Sequence, residues 1–129
     1  MTVSSANLFS NVATGKNLPI YDENKNLDPK KIVDFCHLSN QDVAKLSGVS
    51  VKSVRYEERI PVAVLERLQQ IANICEIANA HFKDAEKTAL WFRLPNPLLG
   101  GISPRDMVRF GRYNKLIQFL MDYQQGNVS

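Results

Sequence analysis

Read from Asp28 onward, the chain is a succession of short apolar stripes, each bracketed by residues that start or stop helices. Asp28-Pro29 couples a side-chain acceptor at the N-cap to a proline at the first helical position, and Ile32, Val33, Phe35 and Cys36 then form a stripe. Ser39-Asn40-Gln41-Asp42 has the form of a capping box, with Asp in place of the usual Glu, and predicts a short helix through Leu46. Gly48 can take the left-handed conformation that ends it, and Ser50 is placed to cap a further helix from Val51 to about Tyr56. Pro61 opens the longest element, which runs to about Phe82. Its apolar positions Val64, Leu68, Ile71, Cys75, Ala78 and Phe82 step by four and three, so they share one face, widened by Leu65 and Ala72. Ile77 falls on the opposite side, among Glu66, Gln70 and Asn73, and reads as a surface residue or a self-association contact.

Asp84 caps a helix to about Leu94, with Asp84 and Glu86 at its positive end and Arg93 at its negative end. Leu94 to Gly101 holds two prolines and a glycine pair and is expected to be a loop without regular structure. Ser103-Pro104 restarts a helix to about Phe110, with Met107 and Val108 inward, and Gly111 breaks it. A last helix over about 112–125 carries Tyr113, Leu116, Ile117 and Leu120 on one face, with Gly126 beyond its end. Residues 1–27 show no periodicity, are rich in Asn and Ser, and read as an irregular arm that Leu18, Ile20 and Tyr21 dock locally. No strand and no internal repeat is evident. The expected fold is all-α: a helix-turn-helix, then a small helical module around a long central helix. The domain reading is an arm at 1–27, a helix-turn-helix region at 28–60 and a helical module at 61–129.

Composition changes this picture little. Of 129 residues 44% are hydrophobic, 22% charged and 9% aromatic, the balance of a soluble globular domain. No apolar run approaches the roughly 20 residues of a membrane helix, and the N-terminus lacks the pattern of a secretory signal, so a cytoplasmic protein is expected. Cys36 and Cys75 lie far apart in predicted apolar stretches and read as reduced core thiols. With His37 and His81 they make no closely spaced ligand pairs, so no metal and no cofactor is expected. Neither His has a recognisable nucleophile and acid arrangement, and no phosphate-cradling loop opens a helix after a strand. The chain is therefore not read as an enzyme. Charge is more informative by position. The net charge is only +3, from 16 basic and 13 acidic residues. Residues 28–60 hold six basic groups against five acidic, and residues 100–129 hold four against two. That can steer an anionic partner but cannot alone hold DNA at physiological salt.

Two motifs carry chemistry. In a 20-residue window from Asn40, Ala44 falls fifth, Gly48 ninth and Val54 fifteenth, the spacing of a helix-turn-helix. A small residue lets two helices approach, glycine makes the turn and an aliphatic residue locks the second helix, with Val43 and Val49 filling the wedge. Ser50, Lys52, Ser53, Arg55 and Tyr56 would then face a major groove, with Lys52 and Arg55 on base edges or phosphates and Ser50 and Gln41 on phosphates. Glu57 and Glu58 depart from the pattern by placing acid where DNA would prefer none. The stretch VAKLSGVSVKSVRYEE also resembles the DNA-binding helices of MerR regulators, over this stretch alone.

The second motif runs from Ala89 to Val108: an aromatic-ended helix, a Pro-Asn-Pro loop with paired glycines, and a Ser-Pro-capped helix. In combination, Trp91, Asn96-Pro97, Leu99-Gly100-Gly101, Ser103-Pro104 and the later Gly111 resemble the C-terminal toxin-binding domain of the Xre/MbcA/ParS antitoxin family. The resemblance covers roughly residues 60–125, and the helix-turn-helix sits where members of that family carry theirs. It implies a homodimeric, all-helical antitoxin of a type II toxin-antitoxin system, a repressor of its own operon whose partners are operator DNA and a cognate toxin. In that family the toxins are typically RES-domain proteins, which consume NAD. It further implies that the Pro-Gly loop and the face of residues 104–125 contribute to the toxin contact. Most of the matching residues shape that surface rather than touch the partner. The alternative reading is a stand-alone helix-turn-helix regulator whose C-terminal module dimerises or senses a ligand.

Overall fold

The computed structural model describes residues 18–126, and within them the chain is all-α, with six α-helices and no strands. The N-terminal half holds α1 (Pro29–Phe35) and α2 (Asn40–Ser47), followed by a single 3₁₀ turn at Val51–Ser53. The long α3 (Val62–Phe82) follows, then α4 (Ala85–Arg93), a second 3₁₀ turn at Pro97–Leu99, α5 (Pro104–Arg109) and α6 (Tyr113–Gln124). The caps are those that the sequence announces. Asp28 accepts the backbone N–H groups of Lys30 and Lys31, and Ser39 and Asp42 complete the capping box reciprocally. Asp84 accepts from the N–H of Lys87, and Ser103 from that of Asp106. Each satisfies a donor that the first turn of a helix leaves open.

α3 is the spine, packing against α1, α2, α4, α5 and α6. The apolar face read from its spacing is buried at Val64, Leu68, Ile71, Cys75 and Ala78, and half-buried at Phe82. Two positions differ from expectation. Leu65 is 41% exposed, whereas Ile77 is only 1% exposed. The cause is that α3 is not a helix on a flat core. Its first half is covered on one side, but from Ile71 to Asn79 only Asn73 escapes full burial. There α6 lies over Ile77, and the Gln124 side chain donates to the Ile77 carbonyl at 2.9 Å. Ile77 is a core residue, not a surface contact.

The second half of the helix-turn-helix also departs from expectation. Gly48 ends α2 with φ +70°, and Ala44, Val43 and Val54 are buried as their spacing requires. In place of a helix from Val51 to Tyr56, however, there is one 3₁₀ turn. Ser50 Oγ and Ser53 Oγ pair with each other at 2.9 Å, and no side chain caps the turn. Val54 then enters the core with an extended backbone (φ −84°, ψ 96°), which stops helical propagation. Two β-branched residues and two serines in five positions favour that outcome over an α-helix.

The residues before α1 pack more deeply than an arm would. Leu18 and Ile20 are 2% and 0% exposed and belong to the same core as Ile32, Val43, Leu68 and Leu116. Asp22 folds the segment back by accepting the N–H groups of Asn24 and Asn26, which sets Tyr21 opposite Leu27. The Tyr21 hydroxyl donates to the buried carboxylate of Glu76 on α3. The Asn- and Ser-rich residues from Ser4 to Asn17 and the tail Asn127-Val128-Ser129 lie outside the described residues.

Candidate functional site

The second motif builds a loop whose parts hold one another. The Asn96 side chain accepts the Leu98 N–H at 2.9 Å. Its backbone carbonyl accepts from Leu99 and Gly101, and its own N–H donates to Ile102. Pro97 starts the 3₁₀ turn at a position where no N–H is needed. Gly100 and Gly101 follow at φ +77° and +88°, angles that L side chains rarely adopt. Instead of a structureless connection, Leu94 to Gly101 is thus a locked turn closed by the pairing of Asn96 with Ile102. Ser103 and Pro104 are buried at the start of α5, and Leu99 packs against the core.

This loop presents an apolar groove. Its floor is Ile77, Ala78, His81 and Phe82 on the last turns of α3, with Trp91 on α4. Asn96 and Leu98 form the rim on the loop side, and Phe119, Leu120, Tyr123 and Gln124 of α6 form the other wall. The cavity is about 150 Å³, room for one ring or branched aliphatic side chain rather than a nucleotide. Five rings run through it in sequence. Trp91 lies 6.1 Å from Phe82, Phe82 packs edge-on against His81 at 5.3 Å, His81 against Tyr123 at 5.4 Å, and Tyr123 stacks on Phe119 at 6.1 Å. Leu98 is 60% exposed and Tyr123 42%, so apolar surface continues onto the rim.

Of the motif residues, Trp91 and Asn96 line the groove, while Pro97, Leu99, Gly100, Gly101, Ser103 and Pro104 shape the loop and the start of α5. Trp91 is half-buried rather than central; its neighbour Phe92, at 0% exposure, is the core aromatic. The face of residues 104–125 is part of the reading from the sequence, but Phe119 and Tyr123 as its groove-lining residues are not. Phe119 and Tyr123 stand four apart beside the Leu116–Leu120 stripe, a spacing that marks an aromatic flank.

The residues read as DNA-facing gather on and after α2. Gln41, Ser50, Lys52, Ser53 and Arg55 are exposed, and Tyr56 is half-buried. Arg55 donates to the Lys52 carbonyl at 3.2 Å and meets Glu58 at 3.4 Å, so one of the two acids that break the motif's pattern sits on its arginine. Both partners are well exposed, and such a pair contributes little. Tyr56 instead turns toward α1, with Lys30 Nζ 5.7 Å from its ring centre. Burial, and secondarily the charge of Asp34, raises its pKa. Cys36 and Cys75 adjoin in the core as free thiols, and the hydrogen bond with Cys36, then burial, raises the Cys75 pKa. No group of His, Cys, Asp and Glu among the described residues is arranged to hold a metal ion, and no helix there is long and apolar enough to cross a membrane.

No protein-family model and no curated protein sequence matches the chain. Among solved structures, one chain from the crystal structure of the M. tuberculosis MbcT-MbcA toxin-antitoxin complex has a similar fold, with a TM-score of 0.53. The similarity spans 100% of this chain and 100% of that one, at 20% sequence identity. The likeness is one of fold.

Proposed function

We propose that the chain is a non-enzymatic antitoxin that binds and neutralises a partner toxin through the groove between the Pro-Asn-Pro loop and α6. The observation that carries this reading is the full-length fold likeness to a chain of a toxin-antitoxin complex. The loop motif around Trp91 and Asn96-Pro97 supports it independently, because it frames an exposed apolar groove of the size that accepts a partner's side chain. Within this reading the toxin is of the NAD-consuming RES type, the chain acts in the cytoplasm as a homodimer, and it represses its own operon. The DNA contact is made by Gln41, Ser50, Lys52, Ser53, Arg55 and Tyr56, from a helix and a turn rather than from two helices.

The test is expression of the neighbouring reading frame, alone and together with this chain. Alone, its product should arrest growth and deplete cellular NAD. Co-expression should restore both, and the two proteins should copurify. Failure of this chain to copurify with any product of its operon would sink the antitoxin reading and favour a stand-alone regulator.

A further inference from the structure

From Ile60 to Leu65 the chain is apolar without interruption, and in the fold only Val64 of this run is buried. Val62 is 69% exposed, more than any other large hydrophobic side chain among the described residues. Leu65 is 41% exposed and Ala63 lies open between them. Apolar surface left in water contributes nothing to folding and favours association. The rest of the exposed face of α3 is polar and closed on itself. Gln69 donates to Asn73 Oδ1 at 3.0 Å, Asn73 donates to the Tyr113 hydroxyl at 3.1 Å, and Arg67 donates to Gln70 at 2.9 Å. The open apolar patch is thus confined to the first turn of α3 and the residues that lead into it.

Charge brackets the patch. Glu57, Glu58 and Arg59 precede it, and Glu66 and Arg67 follow it. Among the described residues the ion pairs are Lys30–Asp34 and Arg55–Glu58, so Arg59 and Glu66, both exposed, belong to neither. Two copies of α3 laid side by side in parallel would set each charge against its own kind. Turned antiparallel about a two-fold axis beside Val62 and Ala63, they set Arg59 of each copy toward Glu66 of the other, twice by symmetry. The same turn opposes the two helix dipoles, which attract in that orientation, and Ala63 is small enough to let the backbones approach. We infer that the first turn of α3 is a self-association surface whose occupant is a second copy of this chain. Val62 and Leu65 of each copy cover those of the other, and the reciprocal pairs of Arg59 with Glu66 fix the antiparallel order. The surface is that of the homodimer in the proposed function, and the inference rests on that clause alone. It shares no residue with the apolar groove, which takes its first residue from α3 at Ile77, about 20 Å farther along the helix. One molecule can therefore pair with its copy and hold a toxin at separate places.

The experiment is sedimentation equilibrium of the full-length protein over a concentration series. The unaltered chain should sediment as a dimer. Val62→Lys, which acts twice in a symmetric contact, should raise the dimer dissociation constant roughly a hundredfold. Arg59→Glu and Glu66→Arg should each raise it about tenfold, because each turns two attractions into two repulsions. An equimolar mixture of those two chains should dimerise as the unaltered chain does, since every altered group then meets its opposite. A merely destabilised fold would gain nothing from mixing. Circular dichroism checks that each variant folds; if Val62→Lys does not, the two charge reversals, at exposed positions, carry the test. A dimer that persists in all three variants overturns this inference and leaves the homodimer standing on another surface. Charge variants that weaken the dimer without rescue on mixing overturn it as well. A monomer at every concentration overturns the inference and the homodimer together, with the toxin reading untouched. Loss of toxin copurification in Val62→Lys, with the unaltered chain monomeric, assigns the face to the toxin and likewise overturns it.

Discussion

At the scale of single residues, three groups drawn wholly or partly out of water make a pH prediction. Tyr21 holds its proton more tightly in the fold because burial, and then its hydrogen bond to Glu76, disfavours the phenolate. Tyr56 and Cys75 are shifted in the same direction. A group whose folded pKa lies above its unfolded value contributes stability in full below the unfolded value, about 8.5 for Cys and about 10 for Tyr. That contribution drains away as pH rises from there toward the folded value. Stability should therefore fall from about pH 9 upward. Tyr21→Phe should make this alkaline fall shallower while costing about 1–3 kcal/mol at neutral pH, because it withdraws a donor from a buried carboxylate. Denaturant titrations across pH would show it, and an identical alkaline slope in the variant would refute it. The glutamate is visible in the sequence only as a charge on a helix; in the fold it accepts from a tyrosine 55 residues away.

At the scale of elements, the join between α3 and α4 is informative. Asp84 is a readable start for α4, but the stop of α3 is Lys83 in the left-handed conformation (φ 53°, ψ 36°), a place where glycine is usual. The strain is held by packing. Thr88 Oγ1, fully buried, donates to Asn79 Oδ1 at 2.9 Å and pins the two helices together. Lys83→Gly should stabilise the chain by about 0.5–1 kcal/mol, since it removes the side-chain penalty at positive φ. The check is a higher denaturation midpoint at unchanged m-value. Gly48→Ala should do the reverse by about 1 kcal/mol, because Gly48 sits at φ +70° with open space around it, so only backbone strain acts. The same scale explains why the second helix expected from the helix-turn-helix spacing does not form. Spacing identified Ala44 and Val54 as packing positions and Gly48 as the turn, and so they are. Spacing is silent on whether Val54 is buried from a helix or from an extended segment, and tertiary packing chose the latter.

At the scale of the molecule, the groove yields a prediction with a built-in reporter. Trp91 is the chain's one tryptophan and lines that groove. Under the proposed function, titration with the partner toxin should change its emission, whereas titration with DNA should leave it unaltered. Phe119→Ala with Tyr123→Ala, on the wall from α6, should weaken toxin binding by about 2 kcal/mol or more, the range of an interface hot spot, with DNA affinity retained. Intact toxin affinity in that variant would move the contact elsewhere on the surface.

The sequence by itself determined the six α-helices and the side-chain caps at Asp28, Ser39, Asp84 and Ser103, because these depend on interactions within a few residues: an aspartate or serine oxygen and its next two or three N–H groups, a proline's fixed φ, a glycine's freedom to end a helix. It also determined the one-sided stripe on the first half of α3. Only the tertiary structure decided that Ile77 is core, that Leu18 and Ile20 belong to the same core as the helices, and that Phe119 and Tyr123 close a groove over His81. Each of these is a meeting of segments tens of residues apart, and its free energy comes from surface that only packing removes from water.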